Sequence, residues 1–218
     1  RTRGAMIQAV YRSNFILMGL PVAENIYGKG CVSVTAALIM FVVPLYNFLA
    51  VIVLEYFRGG RANLKSVLKK ILTNPIILGA VAAILALALN ISVPSAVNKT
   101  ISGMCDATTP IAMILLGASF NKSSVHAGKK NLTICVLSRL VIVPAIGLGL
   151  AAMLDARDVA LVSLIAMMAA PPAVSSYTMA EAMDSDGELA GNAVIFATPL
   201  SCVTIFLWLF LFKSLGMF

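Results

Sequence analysis

The chain has 218 residues and a net charge of +7; 60% of its residues are hydrophobic and only 11% are charged, with a mean hydropathy of +0.97. A soluble domain carries about 25% charged residues, so most of this exterior must face lipid. The positive charge does not point to nucleic acid, because Lys and Arg fall in polar stretches between apolar runs, without interleaved aromatics.

Seven apolar segments follow in chain order: helix A over 4–28, B over 31–57, C over 75–91, D over 97–120, E over 132–153, F over 158–183 and G over 187–213. The runs in B, C, E and G are long enough to cross a hydrocarbon core of about 30 Å. Asn74-Pro75 reads as a capping side chain before a first-turn proline, and Ser185-x-x-Glu188 reads as a capping box opening helix G. The fold class expected is an all-α polytopic membrane protein with seven transmembrane helices. Cys31, Cys105, Cys135 and Cys202 show neither CxxC nor ligand spacing and read as packing residues, so no disulfide, metal or other cofactor is expected.

Orientation is read from the basic residues. If the N-terminus is cytoplasmic, so are the B–C loop, with Arg58, Arg61, Lys65, Lys69 and Lys70, and the D–E loop, with Lys122, Lys129 and Lys130. The opposite side holds Lys29, Lys99, Arg157 and Lys213. The positive-inside rule then places the N-terminus inside and the C-terminus outside.

A Pro-interrupted helix followed by a helix with an internal Pro-Leu occurs twice. Helix A carries Gly19-Leu20-Pro21 and helix B Pro44-Leu45; helix F carries Ala170-Pro171-Pro172 and helix G Pro199-Leu200. A helix-interior proline costs about 3 kcal/mol, and in lipid such breaks persist only where protein or a cavity covers the freed backbone. Helices A and F are five spans apart, an odd offset, so they cross the membrane in opposite directions, as in an inverted repeat. Residues 1–57 then form the last two helices of one repeat, 58–74 a basic cytoplasmic loop, and 75–218 a complete five-helix repeat. A ten-helix parent with three further spans upstream is the expectation.

Each break leaves the first amides of a half-helix without intrahelical acceptors and with partial positive charge. The expected anion site comprises Asn14, Gly19, Pro21, Pro171, Pro172, Ser175 and Ser176. Asp106, about 13 Å into helix D at 1.5 Å per residue, is read either as an ion-coupling carboxylate or as a neutral acid bonded to Thr108 or Thr109. Arg139 either snorkels to the cytoplasmic surface or offers charge to the substrate path; Arg12 is a similar case. His126 reads as a solvated loop residue. No HExxH, GxSxG or paired intramembrane aspartates occur, so no enzyme is expected. A seven-helix receptor-like protein lacks a use for the two breaks, and a retinal protein lacks a buried Schiff-base Lys; an anion channel stays open as an alternative.

On Arg12-Ser13-Asn14-Phe15 with Gly19-Leu20-Pro21, Ala107-Thr108-Thr109-Pro110 with Leu116-Gly117, Arg139-Leu140 with Pro144, and Ala170-Pro171-Pro172-Ala173 through Gly187-Glu188-Leu189-Ala190, the chain resembles the auxin efflux carrier family, in its bacterial permease branch. The resemblance implies ten helices in two inverted repeats, a crossover at Pro21 and Pro172, and secondary transport of small organic anions such as malate or malonate. The partners expected are that anion, a coupling H⁺ or Na⁺, and the lipid bilayer of a cell membrane, the bacterial inner membrane; a homodimer is left open.

Overall fold

The computed structural model describes residues 1–28, 32–58, 72–73, 75–89, 91, 94–118, 120, 125–126 and 128–218. The B–C loop from 59 to 71, Asn74 with its capping role, Lys29, Cys31 and Lys122 lie outside them. The elements in chain order are α1 Thr2–Tyr11, a π-helical turn Phe15–Gly19, α2 Leu20–Tyr27, α3 Val32–Arg58, α4 Pro75–Ala88, α5 Ser95–Ala118, α6 Lys129–Leu137, a second π turn Ser138–Ile142, α7 Val143–Met153, α8 Asp158–Ala169, α9 Ser175–Ala182 and α10 Gly187–Ser214. The regular structure among the described residues is thus entirely helical, and an isolated antiparallel bridge joins Ser13 to Pro172.

Among the described residues, four helices are long and apolar enough to cross a membrane: Ala37–Arg58, Ser95–Ala118, Lys129–Met153 and Gly187–Ser214. Phe15–Tyr27 and Asp158–Ala169 are shorter apolar helices. Of helix C, α4 holds 14 helical residues, about 21 Å at 1.5 Å per residue.

The two π turns share a cause. Each ends two residues before a proline: Phe15–Gly19 before Pro21, and Ser138–Ile142 before Pro144. A proline ring clashes with the carbonyl four residues back and brings no N–H. Shifting the bond to the carbonyl five residues back, as Leu20 N–H does to Phe15 and Val143 N–H to Ser138, widens the turn and lets the helix continue. Helix A therefore does not break at Gly19-Leu20-Pro21 as expected. It breaks upstream, where Arg12 is extended (φ −79°, ψ 122°) and Asn14 leaves helical geometry (φ −90°, ψ 41°). Helix F breaks where Pro171 and Pro172 place it, with Ala170 extended at φ −64°, ψ 150°.

The helix ends gather in two groups. At one, Arg1 N–H donates to Phe57 O (3.2 Å), Ser185 Oγ to Arg1 O (3.0 Å) and Thr2 Oγ1 to Asp186 (2.8 Å), while Arg58 pairs with Asp184. The opening cap of α10 is Asp186, which accepts from Leu189 N–H at 3.0 Å, one residue later than the Ser185 box expected. Ser185 is spent on Arg1 instead. At the other group, Asp158 N–H donates to Met217 O (3.1 Å), and Tyr27, Val159 and Phe218 pack around Ala23, Val162 and Ala166.

Small residues let the backbones approach, as in membrane helix packing. Ala5, Ala180 and Ala190 bring α1, α9 and α10 together, and Ala9 joins Cys135, Leu140 and Ala193. A Cβ on Gly19 would lie 2.5 Å from Ala166 O, so only glycine admits this contact between the two broken helices. By contrast α5 is exposed along most of its length.

Candidate functional site: the crossing of two broken helices

The breaks lie across one another. Asn14 N–H donates to Pro171 O at 2.8 Å, and Ser13 stands opposite Pro172 in the antiparallel bridge. In this register the neighbours of the paired residues carry the hydrogen bonds, so Pro172 is not asked for an N–H it lacks. Ser13 Oγ donates to Met167 O at 2.6 Å. Backbone groups that leave each helix are thus satisfied by the other, as buried polar groups require.

The crossing has two electrostatic poles. α1 and α8 end at it, so their last carbonyls, with partial negative charge, converge there. Arg139, in the second π turn and 1% exposed, meets them: its Nε donates to Ala170 O (2.8 Å), Nη1 to Val10 O and Tyr11 O (3.2 Å each) and Nη2 to Met167 O (3.0 Å). It neither snorkels to a surface nor lines a substrate cavity, the two roles considered from sequence. It clasps both C-termini.

The second half-helices begin on the other pole. A cavity of about 210 Å³ is lined by Asn14, Ile16 and Leu17 from the start of one, by Ala173, Val174 and Ser175 from the start of the other, and by Arg12, Ser13, Val43 and Tyr46. Two half-helices begin at one small space, and the partial positive charge of a helix N-terminus suits an anion. Arg12 adds a full charge. It is 6% exposed; its Nη1 donates to Met179 Sδ (2.8 Å) and its Nη2 to Asn47 Oδ1 (2.6 Å). Among the described residues the ion pairs are Arg58 with Glu55 and Asp184, and Arg157 with Asp155; neither Arg12 nor Arg139 has an acidic partner. Tyr11 stacks obliquely on Tyr46, ring centroids 5.7 Å apart, and so supports the wall.

Of the residues expected at the site, Asn14 and Ser175 line the cavity, and Pro171 and Pro172 form the second break, both buried. Ser176 is fully buried beside it, its hydroxyl without a hydrogen-bond partner, and does not line the cavity. Gly19 is used in packing on α8. Pro21 lies exposed in the first turn of α2, away from the break. Asp106 is exposed on α5 and is not part of the cavity wall. The Thr108 hydroxyl goes to Met104 O (2.8 Å), its own helix, and not to Asp106. Ala173 and Val174, whose amides follow Pro172 and belong to the expected site, line the cavity, whereas Ser13, Val43 and Tyr46 line it without being among the residues expected there. Tyr46 follows Pro44-Leu45, and that neighbourhood was the only available signal.

Broken helices that cross and begin their second halves at one small cavity are the build of a polytopic membrane transporter. Residues 58–209 match the family described as Membrane transport protein, and the chain belongs to that family, the auxin efflux carriers. It is also similar to an uncharacterized transporter of Methanocaldococcus jannaschii, 21% identical over 208 residues, which cover 94% of this chain and 67% of that protein.

Proposed function

We propose that the chain works in a secondary active transporter, not an enzyme, that carries small organic anions such as malate or another carboxylate and binds them at the crossed breaks. The observation that carries this reading is the cavity on the N-terminal pole, where Asn14 and Ser175 stand beside the first amides of two opposed half-helices. We place seven spans in this chain, within a ten-helix inverted repeat whose second unit is 75–218, in a bacterial inner membrane with the N-terminus cytoplasmic. Movement coupled to H⁺ or Na⁺ is part of the proposal, with Asp106, a carboxylate on a candidate span, as the coupling group.

The test is uptake of labelled malate into proteoliposomes, with and without imposed H⁺ or Na⁺ gradients, for the wild type, Asn14→Asp and Asp106→Asn. Saturable, gradient-driven uptake is expected. Asn14→Asp sets a like charge in the anion site and should lower uptake by tenfold or more. Asp106→Asn should abolish the response to the gradient while leaving downhill exchange. Flux that never saturates would favour a channel. Uptake indifferent to Asn14→Asp would remove the crossing as the anion site.

A further inference from the structure

Arg12 is the residue at the crossing whose bonding is least complete for its charge. It is 6% exposed and lines the cavity. An ionised group withdrawn from water is strongly disfavoured unless paired. Yet Arg12 spends one nitrogen on Asn47 Oδ1 and another on Met179 Sδ, and a thioether is a weak acceptor. Arg139 holds four backbone carbonyls with the same fork. Asn14, 8% exposed on the same cavity wall, makes no side-chain hydrogen bond among the described residues.

We infer that Arg12 is the charge-neutralising ligand for a substrate carboxylate, and that the anion takes over the nitrogen now resting on Met179 Sδ. The inference rests on the anion site proposed above and deepens it. A guanidinium offers two parallel N–H donors matched to a carboxylate; with Asn14 and the amides of the half-helix starts completing the shell, a carboxylate is selected over a spherical ion or a neutral amide of the same shape. Because the displaced contact is to Met179 of α9, binding also loosens Arg12 from that helix, while the bond to Asn47 of α3 is kept.

The experiment measures binding of malonate, malonamide and chloride by titration calorimetry to the purified protein in detergent, in the wild type, Arg12→Gln, Arg12→Lys and Met179→Leu. The wild type should bind malonate at least tenfold more tightly than malonamide or chloride. Arg12→Gln should weaken malonate at least tenfold and reduce its advantage over malonamide by a similar factor. Arg12→Lys, which keeps the charge and loses the fork, should weaken malonate severalfold. Met179→Leu removes the competing sulfur and should leave malonate affinity unchanged or higher. If Arg12→Gln lowers the melting temperature but keeps the malonate-to-malonamide ratio, Arg12 is structural and the inference is overturned. Where Arg12→Gln does not fold, an unchanged malonate affinity in Arg12→Lys overturns it equally. Chloride bound as tightly as malonate overturns the carboxylate assignment. A wild type that binds no malonate overturns the anion site itself, a different result from an intact site indifferent to Arg12.

Discussion

Arg139 and Arg12 are both buried arginines at one crossing of two broken helices, yet their surroundings differ in kind. Arg139 sits where α1 and α8 end and meets four converging carbonyls; its charge is matched by helix dipoles and its donors by fixed acceptors. Arg12 follows the last residue of α1 and lines the cavity where the second half-helices begin, with a thioether and one amide oxygen as its acceptors. A charge that the fold has satisfied has a structural use. A charge left with few acceptors beside a cavity has donors to offer a ligand, which is the role inferred for Arg12. The difference lies in the partners: Arg139 reaches backbone carbonyls at the ends of α1 and α8, and Arg12 reaches side chains of α3 and α9.

The largest expected effect breaks the satisfied pole. Arg139→Leu leaves Val10 O, Tyr11 O and Ala170 O without their side-chain donor in a dry interior, where an unsatisfied buried group costs about 1–3 kcal/mol. A loss on the order of 3 kcal/mol in unfolding free energy is expected, read from denaturation in detergent micelles. Arg139→Lys cannot span the same fork and should recover only part of it. Arg12→Leu should be milder, since removing a poorly paired buried charge also removes its desolvation cost. Equal destabilisation by the two leucine substitutions would show that the arginines do the same job, and the contrast would be lost.

Below that stands the spacing between the two helices. Gly19→Val drives a side chain into Ala166 O, backbone that cannot yield without parting α2 from α8. Overpacking of this kind costs about 1–3 kcal/mol. Gly147→Ala is the control: the atoms its Cβ would meet belong to the flexible Met168 thioether, which can swing aside. The Gly19 variant should melt well below the Gly147 variant; matching melting temperatures would mean that the approach at Gly19 is not tight.

The same contrast explains how much could be read in advance. Hydropathy located α3, α5 and α10 to within a few residues, because in lipid composition and length decide what can span. The break in helix F was legible at Pro171-Pro172, since proline acts locally on its own backbone. The break in helix A was not. Pro21 drew attention, but a π turn absorbs it, while the true break at Arg12–Asn14 contains no proline and exists because Ser13 and Asn14 find partners on the other helix. Arg139 was similarly opaque: its acceptors are carbonyls from residues near 10 and near 170 in sequence, and no side-chain pattern reports where carbonyls converge. Tertiary satisfaction of backbone groups left no mark on the sequence; local backbone chemistry did.

The smallest effect sharpens the account of the satisfied pole. Ser13→Ala removes a 2.6 Å bond to Met167 O, but that carbonyl also accepts from Arg139 Nη2 at 3.0 Å. It loses one of two donors and is not orphaned, so the cost should be near an ordinary net hydrogen bond, about 1 kcal/mol. Introduced into Arg139→Leu, where the second donor is already gone, the same change should cost more, because Met167 O is then left with neither. Unfolding of the wild type, both single variants and the double variant closes the cycle. A coupling indistinguishable from zero would mean that Ser13 and Arg139 satisfy the crossing independently, and Met167 O would not be the shared acceptor that joins them.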